Sequence, residues 1–147
     1  MFRGSSIVNL DEKNRLAIPK KFREKLLENS SSLVLTAHPE KCLILYNISE
    51  WIPIEKKLMS LSSFDPKISS LQRLLVGYAE ELAQDKAGRI LISQSLMQFA
   101  EIQEQVIIIG QGSHFEIWDK NKWDTKINHS LQEMHLEDIN ELDGFSL

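Results

Sequence analysis

The chain has 147 residues and a formal net charge of −4, and 42% of its residues are hydrophobic and 26% charged, as in an ordinary globular protein. Its apolar runs are too short to cross a bilayer, and its first residues lack the apolar stretch of a secretory signal. The single cysteine, Cys42, excludes an internal disulfide bond and a zinc site built from cysteine ligands. We therefore expect a cytoplasmic protein that has no membrane partner.

The net charge hides an asymmetry between the two ends of the chain. Residues 1–27 carry seven Lys or Arg residues and three Asp or Glu residues, whereas residues 128–147 carry five Asp or Glu residues and neither Lys nor Arg. Because salt confines each field to about 10 Å, the basic start can attract a polyanion despite the acidic total. Charge alone leaves two interpretations open, a surface for nucleic acid or an ordinary solvated face.

The chain also contains an internal repeat. Residues 11–18, DEKNRLAI, recur 74 positions later as DKAGRILI in residues 85–92. In each copy the pattern predicts a strand, a tight turn, a strand, a short helix, a β-hairpin and a closing helix. The short helices are expected at residues 19–27 and 93–100. Because the offset falls to 72 in the second half, we expect the hairpin loop of the first copy, residues 36–41, to be two residues longer.

A helix that contains a tryptophan is predicted to close each copy. In the first copy, Ser49 is the expected N-cap, and apolar residues keep helical spacing from Trp51 onwards. In the second copy, the helix is expected to begin near Asp119 and to carry an apolar stripe from Trp123 to Leu131. Such stripes are typical of a core or a subunit interface rather than of a ligand site.

The repeat divides the chain into four predicted segments. A linker helix is expected to begin at Asp65, a capping residue that is followed directly by proline. The segments are a first repeat at residues 1–62, the linker helix at 63–76, a second repeat at 77–131 and an acidic tail at 132–147.

The repeated segment has the pattern of a tight turn followed by a fixed arginine. Asp11 and Asp85 are favoured first residues of a type I turn, because a carboxylate there can accept backbone N–H bonds. Asn14 and Gly88 are residue types that tolerate a positive φ. Each turn would hold the arginine that follows it on a rigid hairpin tip. The arginine and the lysine of each tip are Arg15 and Lys13 in the first copy, and Arg89 and Lys86 in the second.

Several motifs along the chain together resemble the MraZ family of bacterial regulators. They are MFRG at residues 1–4, the two Asp-x-x-x-Arg turns, LAIP at residues 16–19 and GQGSHFEIW at residues 110–118. The resemblance covers residues 1 to about 130, and the acidic tail lies outside it. Asn14 and Ser93 replace the Gly and Pro of many members. A left-handed turn accommodates asparagine, and serine is a good helix cap.

This resemblance implies an α+β fold in which two AbrB-like repeats intertwine as a pseudo-dimeric β-barrel, with the helices outside. It also implies a ring-shaped homo-oligomer of eight subunits and double-stranded DNA as the partner. The implied function is that of a sequence-specific, nucleoid-associated transcriptional regulator. Such a regulator would repress its own division and cell-wall operon by binding direct repeats in the promoter. We expect neither enzyme activity nor a cofactor or metal site.

Two kinds of DNA contact are assigned to the basic residues. Arg15 is the first candidate for reading a base, because its planar guanidinium can bridge O6 and N7 of guanine. Cations suited to phosphate are Lys13, Arg3, Lys20 and Lys21, and the second-copy equivalents of the turn residues are Arg89 and Lys86. Because residues 93–100 contain neither Lys nor Arg, we expect the first copy to make most of the contacts. The alternative is that each arginine only pairs with the aspartate of its turn.

Two other classes of function remain open from the sequence. Cys42 is a possible nucleophile with His38 or His114 as its base, although its place at the start of an apolar strand favours a buried thiol. Alternatively, the apolar stripes build a ring that binds another protein and has no DNA role. The acidic tail is expected either to repel DNA, to dock on basic patches of neighbouring subunits, or to be a disordered solubilising segment.

Overall fold

The computed structural model describes residues 1–146, which form eight β-strands, five α-helices and two short 3-10 helices. The strands are β1 (Ser5–Asn9), β2 (Arg15–Ala17), β3 (Ser32–Ala37), β4 (Leu43–Asn47), β5 (Glu80–Ala83), β6 (Arg89–Leu91), β7 (Gln105–Gly110) and β8 (Phe115–Asp119). The helices are α1 (Lys20–Leu26), α2 (Ile48–Met59), α3 (Pro66–Leu75), α4 (Gln94–Phe99) and α5 (Lys120–Glu133), and the 3-10 helices are Leu136–Asp138 and Asn140–Leu142. The predicted α+β class is confirmed.

The strands form a six-stranded antiparallel sheet and a separate two-stranded ribbon. The sheet has the order β1-β7-β8-β4-β3-β5, and the ribbon pairs β2 with β6. Within each copy only the hairpins β3–β4 and β7–β8 pair internally, and every other strand pairing joins the two copies. The copies are therefore intertwined, and neither copy contains all of its strand partners.

The strand registers relate the two copies by an approximate two-fold axis. At the centre of the ribbon, Leu16 pairs with Ile90, which is its own equivalent in the repeat. In the sheet, Ile44 pairs with its own equivalent, Glu116. The axis therefore passes through the middle of the ribbon and between β4 and β8, and the two repeated turns lie on opposite sides of it.

The sheet is open, so the closed β-barrel implied by the resemblance is not observed. Strands β1 and β5 each have a single neighbour within the described residues. The hairpin predicted at each repeated turn was wrong beyond the turn itself, because β1 pairs with β7 and β2 with β6 rather than with each other. Beyond the pair of Asp11 and Arg15, the chain turns to the other copy, and the Leu10 N–H donates to the Glu104 carbonyl at 2.8 Å. Each turn thus redirects the chain from the sheet to the ribbon.

The fold has three layers, with the sheet in the middle. One face of the sheet packs on the ribbon, α1 and α4, and this main core includes the fully buried Leu16, Ile90 and Leu96. The other face is covered by α2 and α3 around Trp51, and by α5 around Trp123. The ribbon therefore has one face on the core and the other turned away from the sheet.

The two closing helices bury different shares of their apolar stripes. Helix α2 buries Trp51, whereas no residue of α5 is buried and Leu131 is 62% exposed. Helix α5 packs through Trp123, whose ring centroid lies 5.6 Å from that of Trp118. The linker helix follows its cap, Asp65, as predicted. None of the helices in residues 1–146 is both long and apolar enough to cross a bilayer.

Asn47 caps helix α2, so the cap predicted at Ser49 was wrong by two residues. The side-chain oxygen of Asn47 accepts the Ser49 N–H at 2.9 Å, and its amide donates to the carbonyls of Leu26 and Ser30. The cap moves because strand β4 continues directly into the helix. At the equivalent position of the second copy, Asp119 caps α5, as predicted.

The two-residue change in the repeat offset is divided between two places. Helix α1 has seven residues, whereas α4 has six. The hairpin of the first copy closes on the pair Ala37–Leu43, and that of the second closes on Gly110–Phe115. The first hairpin loop is therefore longer by one residue only, and the expectation of two extra residues there was wrong.

Asn47→Ala should lower the free energy of unfolding by about 2–4 kcal/mol. The substitution removes the cap of α2 and leaves two carbonyls, of Leu26 and Ser30, without their amide donor. Chemical denaturation followed by tryptophan fluorescence measures the loss. The matched control is Asn128→Ala on α5, where the asparagine is exposed and the expected change is under about 0.5 kcal/mol. Equal losses in the two variants would contradict the role given to Asn47.

Candidate nucleic-acid interface

The outward face of the β2–β6 ribbon carries two arginines. The central residues Leu16 and Ile90 are fully buried against the core. Because side chains alternate along a strand, the residues on either side of each point away from the core. These outward residues are Arg15 and Ala17 on β2, and Arg89 and Leu91 on β6. The two arginines therefore lie diagonally across one surface of the ribbon.

The first turn is fixed by one carboxylate. One oxygen of Asp11 accepts the backbone N–H groups of Lys13 and Arg15, each at 2.9 Å. The other oxygen accepts Nε of Arg15 at 2.6 Å. Asn14 has a φ of 61°, in the left-handed region. Asp11 thus holds both the backbone and the guanidinium of Arg15, while the Arg15 side chain stays 31% exposed.

The second turn has the same geometry. Asp85 accepts the N–H groups of Ala87 and Arg89 and also Nε of Arg89, all at 2.9 Å. Gly88 has a φ of 76°. In addition, Nη1 of Arg89 approaches the carboxylate of Asp11 to 3.7 Å. Asp11 therefore lies between the two arginines and links the two turns electrostatically.

Both turn aspartates are held in their charged form. The pKa of Asp11 lies below its ordinary value of 3.8, chiefly because the backbone N–H of Arg15 donates to the carboxylate. The pKa of Asp85 is lowered in the same way, chiefly by the backbone N–H of Arg89. In each turn two backbone N–H groups donate to the aspartate independently of the arginine side chain. An arginine can then exchange its aspartate for another acceptor while the turn persists.

The two turns have different neighbours. Helix α1 lies beside the second turn, where the Arg23 guanidinium packs so closely over Gly88 that an added Cβ would approach it to 2.5 Å. Nε of Arg23 also donates to the Ile18 carbonyl at 3.1 Å. The first turn lies instead beside α4, and Asn14 lines a cleft with Met97, the repeat equivalent of Arg23. The basic helix is thus next to the turn of the other copy.

The expectation that the first copy makes most of the contacts rests on the lack of Lys and Arg in residues 93–100, and it remains a prediction. The basic α1 does not lie beside the turn of its own copy. The pairing of β2 with β6 instead brings α1 close to Arg89, since the Ile18 N–H donates to the Gly88 carbonyl at 3.0 Å. Each side of the ribbon therefore combines residues from both copies.

Three of the predicted lysines lie near the two arginines. Lys13 and Lys86 are exposed at the tips of the first and second turns. Lys20 is also exposed and lines a cleft with Gln84, the residue just before the second turn. The structure therefore groups these three cations around the ribbon.

The other two predicted cations lie elsewhere. Nζ of Lys21 donates to the Ser5 carbonyl at 3.0 Å, so this side chain lies along β1. Arg3 precedes β1 and is thus at the end of that strand farthest from the first turn. The structure does not bring either residue to the ribbon.

Two residues of this surface, Arg23 and Leu91, were missed by sequence reasoning. The position of Arg23 depends on the exchange of strands between copies, and no local pattern reports such an exchange. Leu91 has the pattern of an ordinary strand residue, yet it is 59% exposed. The alternation of side chains along a strand could have identified it, because Leu91 is two residues from Arg89 and therefore lies on the same face.

The cysteine considered as a nucleophile is not accessible. Cys42 is fully buried, and its burial raises the pKa of the thiol far above the ordinary range. The interpretation of Cys42 as a buried thiol is therefore confirmed. The ring of His114 stacks on that of Tyr46, with centroids 4.9 Å apart. Within residues 1–146, no three His, Cys, Asp or Glu side chains are grouped so that they could hold a metal ion.

The pKa of Asp11 should remain below 3.8 in the variant Arg15→Ala. Alanine keeps the backbone N–H that is the main cause of the shift and loses only the guanidinium. NMR titration of the aspartate carboxyl carbons in both proteins measures this. Because the folded-state pKa is depressed, the stabilisation is present above about pH 3.8 and is lost as the pH falls through the folded value. A return to the ordinary value in the variant would show that the ion pair holds the turn.

Known proteins match the whole length of this chain. A sequence model of the family described as "MraZ protein, putative antitoxin-like" matches residues 1–74 and again residues 75–143. The chain is 49% identical to a protein of Methylobacillus flagellatus and 50% identical to one of Nitrosomonas eutropha, in both cases over 148 residues and all of both chains. A protein of Thiobacillus denitrificans is 45% identical, also over all of both chains. Each of these relatives is named "Transcriptional regulator MraZ".

The matches also include the acidic tail. The second family match ends at residue 143, so the expectation that residues 132–147 lie outside the resemblance was wrong. The two successive matches correspond to the two intertwined copies of the repeat. On these grounds the chain belongs to the MraZ family.

Proposed function

We propose that this chain is a DNA-binding transcriptional regulator and that the β2–β6 ribbon is its DNA-contacting surface. The observation that carries the proposal is the pair of outward arginines, each fixed by its own turn. The names of the relatives support the regulatory role. Under this proposal the protein acts on the nucleoid in the cytoplasm.

The shape of the ribbon supports binding in the major groove. The major groove of B-DNA is about 12 Å wide and admits a two-stranded ribbon. Arg15 and Arg89 each present a planar guanidinium, which can donate two parallel hydrogen bonds to O6 and N7 of guanine. Because an approximate two-fold axis relates the two arginines, one subunit would read two points in the groove.

Each arginine would gain a base as an acceptor while its turn stays folded. The hydrogen bond that Arg15 makes within residues 1–146 uses Nε, which leaves its Nη groups to donate elsewhere. The main-chain bonds to Asp11 keep the turn closed when the guanidinium moves. Asp11 and Asp85 are therefore positioning residues, which orient the arginines and do not themselves contact DNA.

Cations around the ribbon would supply phosphate contacts, which give affinity and register. Lys13 and Lys86 are exposed at the two turn tips, and Lys20 is exposed beside the second turn. Arg23 adds a positive charge next to Gly88. The side of the ribbon that carries the second turn therefore has more cations near it, although Glu24 lines the same cleft as Lys20 and Arg23.

We further propose that copies of this chain form a ring whose ribbons bind direct repeats in the promoter of the chain's own division and cell-wall operon, and repress it. Large apolar side chains exposed away from the ribbon support self-association, among them Ile52, Met59 and Phe64, which are 54%, 55% and 96% exposed. A ring raises the effective concentration of each further ribbon on consecutive DNA boxes. The ring of eight subunits, the operon and the AbrB-like nature of the repeat rest on the resemblance alone.

The second candidate function is a ring-forming interaction module without DNA binding. The same exposed apolar residues favour it, together with Leu131 on α5. The two functions differ in what the purified protein carries. The ratio of absorbance at 260 and 280 nm, before and after a high-salt wash, separates a protein that retains nucleic acid from one that does not.

Arg15→Ala and Arg89→Ala should each weaken binding to a specific duplex by about 10- to 100-fold, since each removes a bidentate base contact. The duplex is obtained by selecting bound sequences from a random DNA pool, and affinity is measured by electrophoretic shift. Both variants should keep the wild-type oligomer, because both side chains face away from the core.

Lys57→Ala is the matched control for these variants. It removes one exposed cation from α2, on the opposite face of the sheet, and should leave the affinity unchanged. Unchanged affinity in Arg15→Ala and Arg89→Ala would show that the ribbon is not the DNA-contacting surface. A loss in Arg15→Ala alone would show that the first copy dominates.

Lys20→Ala and Lys21→Ala should differ in their effect on DNA binding, although the two lysines are adjacent in sequence. Lys20 lies beside the second turn, whereas Lys21 is bonded to the Ser5 carbonyl. The slope of log K against log salt concentration is negative, and losing one phosphate contact should reduce its magnitude by about 0.9. Titrations at several salt concentrations should show this decrease for Lys20→Ala only, and a decrease for Lys21→Ala only would contradict the assignment of Lys20 as a phosphate contact.

A further inference from the structure

Leu91 is a large apolar side chain on a surface that otherwise suits a polyanion. It lies on the outward face of β6 and is 59% exposed, while its strand neighbour Ile90 is fully buried. Ile90 thus packs β6 against the core, and Leu91 is exposed because the next side chain along a strand points to the opposite face. A single exposed leucine is common on protein surfaces. The strand register, however, places this leucine opposite Arg15.

Leu91 lies directly opposite Arg15 in the ribbon. The two residues are Cα partners, and the Ile92 N–H donates to the Asn14 carbonyl at 3.1 Å. They therefore form a non-hydrogen-bonded pair, in which Cα atoms are about 4.5 Å apart and side chains approach most closely. Neighbouring bases of a DNA strand are about 3.4 Å apart. The Cα separation of such a pair is thus close to the spacing of adjacent bases.

Resting on the proposed function, we propose that Leu91 is a specificity-determining residue that packs on the C5 methyl group of a thymine next to the base read by Arg15. Among the four bases, thymine alone presents a methyl group in the major groove. Contact between that methyl group and the leucine side chain removes apolar surface of both from water. The pair of Arg15 and Leu91, which we call the first arm of the ribbon, therefore specifies a thymine as well as a guanine.

The second arm of the ribbon, the pair of Arg89 and Ala17, lacks an equivalent contact. Arg89 faces Ala17, the repeat equivalent of Leu91, in the same type of pair. The single methyl group of alanine extends less far than the leucine side chain, so this arm selects thymine less strongly. The two arms of a nearly symmetric ribbon then read different sequences. The recognised site has a direction, which agrees with direct rather than inverted repeats.

The test uses full-length protein and a duplex with one box, chosen by selection from a random DNA pool. Each thymine of the box is replaced singly by deoxyuridine, which removes only the methyl group. Fluorescence anisotropy gives the dissociation constants of the wild type, of Leu91→Ala and of Ile7→Ala. Ile7 is the matched control, because it is 54% exposed on the edge strand β1. Size exclusion and thermal unfolding check that the variants keep their assembly and stability.

In the wild type, deoxyuridine at one position should weaken binding by about three- to five-fold, the value of one buried methyl group. Leu91→Ala should weaken binding to the unmodified box by a similar factor. The deoxyuridine penalty should then disappear in Leu91→Ala and persist in Ile7→Ala. This loss of additivity is the signature of a direct contact.

Two results would overturn the assignment of Leu91. One is a deoxyuridine penalty that persists unchanged in Leu91→Ala, or that is found at no position of the box. The other is a change of assembly state in Leu91→Ala without a change in DNA affinity, which would make Leu91 a subunit contact. A pool from which no sequence is enriched would instead refute the proposed function itself, and with it this inference.

Discussion

The pairing of β2 with β6 is the constraint on which the rest of the structure depends. It fixes Leu16 and Ile90 in the core and so turns Arg15 and Arg89 to the same outward face. Because the two strands come from different copies of the repeat, the pairing also brings α1 of one copy beside the turn of the other. The mixed surface, with Arg23 next to Gly88, is a direct result.

The two turns then orient the arginines that the ribbon places on its outward face. In each, an aspartate accepts two main-chain N–H groups and one guanidinium, which lowers its pKa and keeps it charged. An arginine held in this way loses less conformational freedom on binding than one on a mobile loop. The same carboxylates reduce the positive potential of the ribbon. The surrounding lysines offset this reduction, and they are more numerous beside the second turn.

Local patterns in the sequence predicted the elements of the fold well, because turn chemistry, capping and strand alternation are short-range effects. The positive φ of Asn14 and Gly88 and the cap at Asp65 follow from residue type alone. Strand partnership is a long-range property, so the open sheet and the position of α1 did not follow from any local pattern. The same limit explains why Lys20 and Lys21, adjacent in sequence, were assigned one role although they lie on different sides of α1.

The most direct test of the ribbon as the DNA-contacting surface is hydrogen–deuterium exchange of the protein with and without its selected duplex. Amides in residues 11–18 and 85–92 should be protected, since both turns and both ribbon strands would be covered by DNA. Helices α2, α3 and α5, on the opposite face of the sheet, should exchange at unchanged rates. Protection confined to those helices, with both turns unaffected, would contradict the assignment of the ribbon as the DNA-contacting surface.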